Sequence, residues 1–124
     1  MAGSTGVKSI ERRTASKPDE TRTFTKGKIE VTHLGGTSIG LATFEPGWKW
    51  SECVKPLVGT RSCQVRHLGY VLSGRMEVVM DDGTKQEFAT GDLMFVAPGH
   101  DAVVMGNETC RIIDWLGAEN YAKK

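Results

Sequence analysis

The chain has 124 residues, enough for one domain with its own core and too few for two ordinary ones. Apolar residues make up 39% and charged residues 25%, the balance of a soluble globular protein. A net charge of +1 offers no basic patch to nucleic acid and no acidic tail, and no apolar run approaches the roughly 18 residues of a membrane span.

The three cysteines, Cys53, Cys63 and Cys110, form no C-x-x-C pair, and an odd count does not make a disulfide framework. Residues 1–20 lack the apolar stretch of a secretory signal, so a reduced, cytoplasmic protein is expected. Residues 1–22 are rich in Gly, Ser, Thr, Lys and Arg, and too poor in apolar surface to offset ordering entropy. They read as a flexible N-terminal arm, followed by one β-domain over 23–117 and a tail over 118–124.

From Thr23 onward, short β-like runs alternate with turn signals. Strands are expected at Phe24–Thr25, Lys28–Leu34 and Ser38–Phe44, with Gly35-Gly36 turning between the last two. After the Glu45-Pro46-Gly47 turn, Trp48 to Lys55 reads as extended, then Pro56 to Ser62 as a loop. Cys63 to Leu72 and Met76 to Met80 read as a hairpin about Ser73-Gly74. Glu87-Phe88, Leu93 to Ala97, His100 to Met105 and Thr109 to Leu116 complete about nine or ten strands, divided by Asp82-Gly83, Gly91-Asp92, Pro98-Gly99 and Gly106-Asn107. No window carries the apolar period of a helix, so the chain is all-β.

Two glycine-framed segments stand out. In the first, Gly47 is followed after five residues by Cys53-x-Lys55, and His67 is followed after six residues by Gly74. In the second, Gly91 is followed after five residues by Ala97-Pro98-Gly99, then Ala102 and Gly106-Asn107. Over residues 24–117 the chain resembles the cupin superfamily, whose two motifs share these frames. The resemblance implies a single-domain, jelly-roll-like antiparallel β-barrel that commonly holds one metal ion in its mouth. The family's His-x-His pair stands here as Cys53 and Lys55, its glutamate as His67, and its second-motif histidine as Ala102. Eleven residues, Pro56 to Arg66, replace a shorter family linker.

His100 lies two residues before Ala102, so in an extended strand both side chains face the same way. Cys53, His67 and His100 are therefore the candidate metal ligands: thiolate and imidazole suit Zn, Fe, Ni or Cu, with Mn also considered, and three protein ligands leave a position open. The competing reading makes each a buried core residue and the protein metal-free. Cys63 shares the parity of His67, but four strand residues would hold them about 13 Å apart. Trp48, Trp50, Lys55 and Ala102 are the candidate substrate pocket. Lys55 suits a carboxylate substrate if it points inward, while the two tryptophans serve equally as core or interface. Asp101 faces away from His100, which argues against a His-Asp pair there.

Leu68, Tyr70 and Leu72 lie opposite His67 and would form an outward apolar patch, favouring a homodimer. No G-x-S-x-G elbow or phosphate loop is present. Three functional readings remain: an oxygenase, isomerase or lyase acting on a small polar molecule through a divalent metal; a metal-free small-ligand sensor; and a structural homodimer with a vestigial site.

Overall fold

The structure, a computed structural model, describes residues 9–123. Nine strands run in chain order as β1 (Glu20–Phe24), β2 (Gly27–Leu34), β3 (Thr37–Phe44), β4 (His67–Ser73), β5 (Arg75–Met80), β6 (Lys85–Ala89), β7 (Leu93–Val96), β8 (His100–Met105) and β9 (Cys110–Asp114). Two single-turn helices, α1 (Trp50–Cys53) and α2 (Lys55–Val58), interrupt the series. A six-stranded sheet has the order β1-β2-β3-β9-β4-β7, and a three-stranded sheet has the order β6-β5-β8. Every strand pairing is antiparallel. The two sheets pack face to face in a jelly-roll-like sandwich without closing into one continuous barrel.

The period of two sets the inner face. Ile29 and Val31 of β2, Ala42 and Phe44 of β3, Met94 and Val96 of β7, and Cys110, Ile112 and Asp114 of β9 are all buried. From the small sheet, Met76, Val78, Ala102 and Val104 close the core. Gly74 makes the β4–β5 turn at φ +78°, and a Cβ there would sit 2.7 Å from the Cα of Cys110, so both backbone and packing require glycine.

Three stretches depart from the sequence reading. The β-structure begins earlier: β1 starts at Glu20, inside the expected arm, and Asp19 accepts hydrogen bonds from Arg13 and from the His33 amide. Residues 1–8 of that arm lie outside the described residues.

Trp48 to Lys55 is not a strand. Only Lys49 makes a bridge, to Val103; the chain then turns through α1, where Asp101 accepts from the Ser51 amide, and α2, which has Pro56 in its first turn and ends at Gly59 with φ +77°. A long-range acceptor, Asp101, and the local helix stop at Gly59 overrode the expected extended structure there.

The expected strand from Cys63 begins only at His67. Cys63 instead bridges to His100 on the small sheet, and Gln64 to Arg66 cross to the large one.

On the outer face of the large sheet, Leu68 pairs across with Phe95 and Tyr70 with Leu93. Leu93 is 74% exposed and Phe95 55%, next to exposed Leu72 and Trp115, so the apolar patch lies where the sequence placed it and is wider. Among the described residues, no helix is long and apolar enough to cross a membrane.

Candidate metal centre

The strand break at Cys63 builds the site. Cys63 is held by its backbone to His100: the Cys63 amide donates to the His100 carbonyl at 2.8 Å, and the Gly99 amide donates to the Cys63 carbonyl at 2.7 Å. His67 opens β4 on the opposing sheet. One ligand atom from each of Cys63, His67 and His100 lies within 4.8 Å of the other two, and Cys63 Sγ is 3.8 Å from His67 Nε2.

Both imidazoles are oriented from behind. His67 Nδ1 is 2.6 Å from Asp114 Oδ2, and His100 Nδ1 donates to the Ala97 carbonyl at 2.8 Å. A carboxylate and a carbonyl only accept, so each ring carries its proton on Nδ1 and, when neutral, presents Nε2 as a free lone pair. This backing by a carboxylate or carbonyl is what metal-binding histidines require.

Charge follows the geometry. Burial alone would push the Cys63 thiol up, but hydrogen bonds from His100 and then His67 outweigh it and bring it down to about 6. Burial alone would lower His67, yet the hydrogen bond to Asp114, then that to Cys63, raises it to about 9. Asp114 is buried, which works against ionisation, and His67 still holds its carboxyl below the usual value. Without metal the site is therefore a thiolate–imidazolium–carboxylate chain. By contrast, burial drives the thiol of Cys110 up to about 12, as befits a core residue.

The C-terminal segment closes over this chain as a strap. Asp114 Oδ1 accepts from the amides of Leu116 and Gly117, and a Cβ on Gly117 would lie 2.7 Å from His67 Nδ1. The Arg22 guanidinium then donates to the carbonyls of Ala118, Glu119 and Tyr121. Fastened so, Tyr121 lies buried with its ring edge-on to His67 at 5.4 Å and packs on Phe24 and Phe44. Of the tail expected over 118–124, residues 118–123 turn back on Gly117 and pack against the domain.

Beneath it lies a cavity lined by Trp48, Trp50, His67, His100, Ala102, Tyr121 and aliphatic side chains of both sheets. About 50 Å³ of it is open to the centres of water-sized molecules. Trp50 and Tyr121 also line a neighbouring hollow that borders Cys63. The Trp48 Nε1 is buried without a hydrogen-bond partner. An enclosed donor with no acceptor costs about 1–3 kcal/mol.

Of the residues singled out from the sequence, His67 and His100 meet in the cluster, and Trp48, Trp50 and Ala102 line the cavity. Cys53 ends α1 in the core, outside the cluster, and Lys55 begins α2, away from the cavity wall. Asp101 serves as the cap of α1 rather than a partner of His100. The sequence reading missed Asp114, Tyr121 and the role of Cys63. Asp114 carried one legible signal: it falls on the inward register of Cys110 and Ile112, where a carboxylate needs a partner.

The sequence model of the family described as the EutQ-like cupin domain matches residues 48–112. No curated protein matches the chain. Similar solved structures include the polyketide cyclase RemF of Streptomyces resistomycificus, 17% identical, with a TM-score of 0.61 over 88% of this chain and 80% of that one. The oxalate decarboxylase of Lactobacillus farciminis in its formate complex is 13% identical, with a TM-score of 0.62 over 94% of this chain and 35% of its own. KdgF of a Halomonas species is 20% identical, with a TM-score of 0.51 over 75% of this chain and 80% of that one. At such identities these likenesses speak for the fold.

Proposed function

We propose that this chain, which belongs to the EutQ-like cupin domain family, holds one divalent transition-metal ion at Cys63, His67 and His100 and acts on a small polar molecule as an oxygenase, isomerase or lyase. The observation that carries the reading is the pair of imidazoles whose Nδ1 atoms are both engaged from behind while Nε2 belongs to the face shared with a low-pKa thiol. A thiolate with two imidazoles fits zinc, iron(II), nickel or copper better than the all-oxygen shells of magnesium or calcium. When bound, such an ion supplies Lewis acidity and an open position for substrate. His67 and Asp114 hold the proton balance at Nδ1, the strap excludes water, and the apolar wall positions the body of the ligand.

Protein purified without chelator is expected to carry close to one equivalent of metal by elemental analysis. Metal-stripped protein should gain thermal stability on adding zinc, since a ligand at a hundred times its Kd adds about 2.7 kcal/mol. Protein that is metal-free and indifferent to Zn, Fe, Ni, Mn and Cu sinks the reading. A second reading, a metal-free small-ligand sensor, draws on the same cluster, because the thiolate–imidazolium–carboxylate chain is already paired by itself.

We also propose that the face bearing Leu68, Leu72, Leu93 and Phe95 meets a second copy of this chain. It is apolar, it has cross-strand pairs across β4 and β7, and β7 is a sheet edge with unpaired backbone groups. The centre of the face, Leu68, Leu93 and Phe95, carries no charge and meets its own copy without charge conflict. Light scattering after gel filtration should give twice the chain mass at tens of micromolar, falling to the monomer for Phe95→Glu with Leu93→Lys. A monomeric parent protein rules the interface out.

A further inference from the structure

The strap is fastened to the domain by side chains rather than by a ladder. Among the described residues, the last backbone bond from this end of the chain to a strand runs from the Trp115 amide to the Leu68 carbonyl. Beyond Gly117 the backbone bonds stay inside the strap, from Asn120 and Tyr121 to Gly117 and from Lys123 to Asn120. The polar hold comes from Arg22 of β1, whose guanidinium spends all five of its N–H donors. Nη1 serves the carbonyls of Ala118 at 2.9 Å and Tyr121 at 2.6 Å, and Nη2 serves that of Glu119 at 2.8 Å. The two remaining donors go to the Glu20 carboxylate, which fixes the fork. Ser38 Oγ adds one longer tie, to Glu119 Oε2 at 3.1 Å.

Two hollows meet at this strap. The outer one is walled by Asn120, Tyr121 and Lys123 on one side and by Val58 and Thr60 on the other, and it borders Cys63. The inner one holds His67 and His100. Trp50 and Tyr121 line both, so their rings are the partition. Cys63 and His100 are 2% and 4% exposed, whereas His67 keeps partial exposure. An ion that takes all three ligands must therefore reach a thiol that is shut away in the closed form. On the opposite side, the approach to α1 is tied to β8 by the Val104 amide on the Trp48 carbonyl and by the Lys49–Val103 bridge, so the strap is the wall with fewer backbone ties.

We propose that residues 117–123 are a gate latched by Arg22. When the three carbonyls leave the guanidinium, Tyr121 swings out from between the hollows and opens Cys63 to an incoming ion or small ligand. This deepens the metal reading and rests on it for the identity of what enters; the gate itself concerns only access to the cluster. Arg22 is a positioning residue, since it belongs to neither the cluster nor the wall of the two hollows.

The test is the rate at which iodoacetamide alkylates metal-stripped protein, followed by peptide mass spectrometry that reads Cys53, Cys63 and Cys110 separately. Arg22→Ala is expected to speed alkylation of Cys63 about tenfold or more, because even one lost charge-assisted bond shifts an opening equilibrium that far. Arg22→Lys keeps the charge but has three donors and no fork, so its rate should fall between. Cys110, deep in the core, should stay at the parent rate in both. Circular dichroism checks that each variant is folded, and Arg22→Lys decides the matter where the alanine variant is not. A rise above threefold confined to Cys63 upholds the gate. A Cys63 rate within threefold of the parent in the folded variants overturns it, and access then runs past α2. Equal acceleration at all three cysteines is general loosening and overturns it too. Zinc uptake is measured on portions of the same samples: protein that takes up none sinks the metal reading alone, and the alkylation rates still decide the gate.

Discussion

Cys63→Ser, His67→Ala and His100→Ala are each expected to lower metal affinity by more than a hundredfold, while Cys53→Ser leaves metal content unchanged. Loss of a group that merely orients a ligand already costs about 10–100-fold, so loss of a ligand itself should exceed that range. The four variants separate two ligand sets that the sequence alone leaves close together. Cys53 occupies the position that family alignment favours, yet it ends α1 among core side chains. Cys63 is tied by its backbone to His100 and lies 3.8 Å from His67 Nε2. Elemental analysis of each purified variant, followed by zinc titration against a chelator, reads the result. Metal retained by Cys63→Ser and lost by Cys53→Ser would restore the aligned set and discard the cluster. Stability must be measured alongside, because a hydroxyl in place of the buried Cys53 thiol carries its own cost of about 1–3 kcal/mol.

The fold was legible because it rests on period two and on turns, both local properties. His100–Met105 has the bounds expected of it, and the β2, β3 and β5 expectations differ from the structure by a residue at one end. Two of the three clustered side chains, His67 and His100, were legible for the same reason: each sits on a regular strand beside a glycine frame. Cys63 was set aside by a sound argument from a false premise. Four residues in one strand do span about 13 Å, but Gln64 to Arg66 leave the small sheet for the large one, so the spacing along a strand never applied.

What decides that crossing is the bridge between Cys63 and His100, a contact 37 residues apart in sequence with no local mark. The strap was hidden for a related reason. Its anchor Arg22 is a long-range partner of three carbonyls, and Asp114, which takes the nearby amides of Leu116 and Gly117, is held in turn by the distant His67; a polar tail with one tyrosine gives no hint that carbonyls will gather on a distant guanidinium.

Asp114 is where those long-range contacts converge, and its two replacements should part stability from metal binding. In Asp114→Ala, His67 loses its counter-charge while buried, and the amides of Leu116 and Gly117 lose their acceptor. Breaking a buried ion pair from one side costs about 3–5 kcal/mol, so the metal-free variant should melt well below the parent and its strap should loosen.

In Asp114→Asn, the amide oxygen can still accept from Leu116 and Gly117, which preserves most of the stability. Its NH₂ then faces His67 Nδ1, which must become an acceptor, and the ring proton moves to Nε2, the nitrogen a metal needs. Turning the amide over restores the acceptor toward His67 but sets NH₂ against two backbone N–H donors. Either way, metal affinity is expected to fall about 10–100-fold with a much smaller loss of melting temperature than for alanine. Calorimetry of the stripped proteins and zinc titration of each give the two readouts. If Asp114→Asn binds zinc as tightly as the parent, the carboxylate only staples the strap, and the orientation of His67 must come from its packing against Tyr121 and His100.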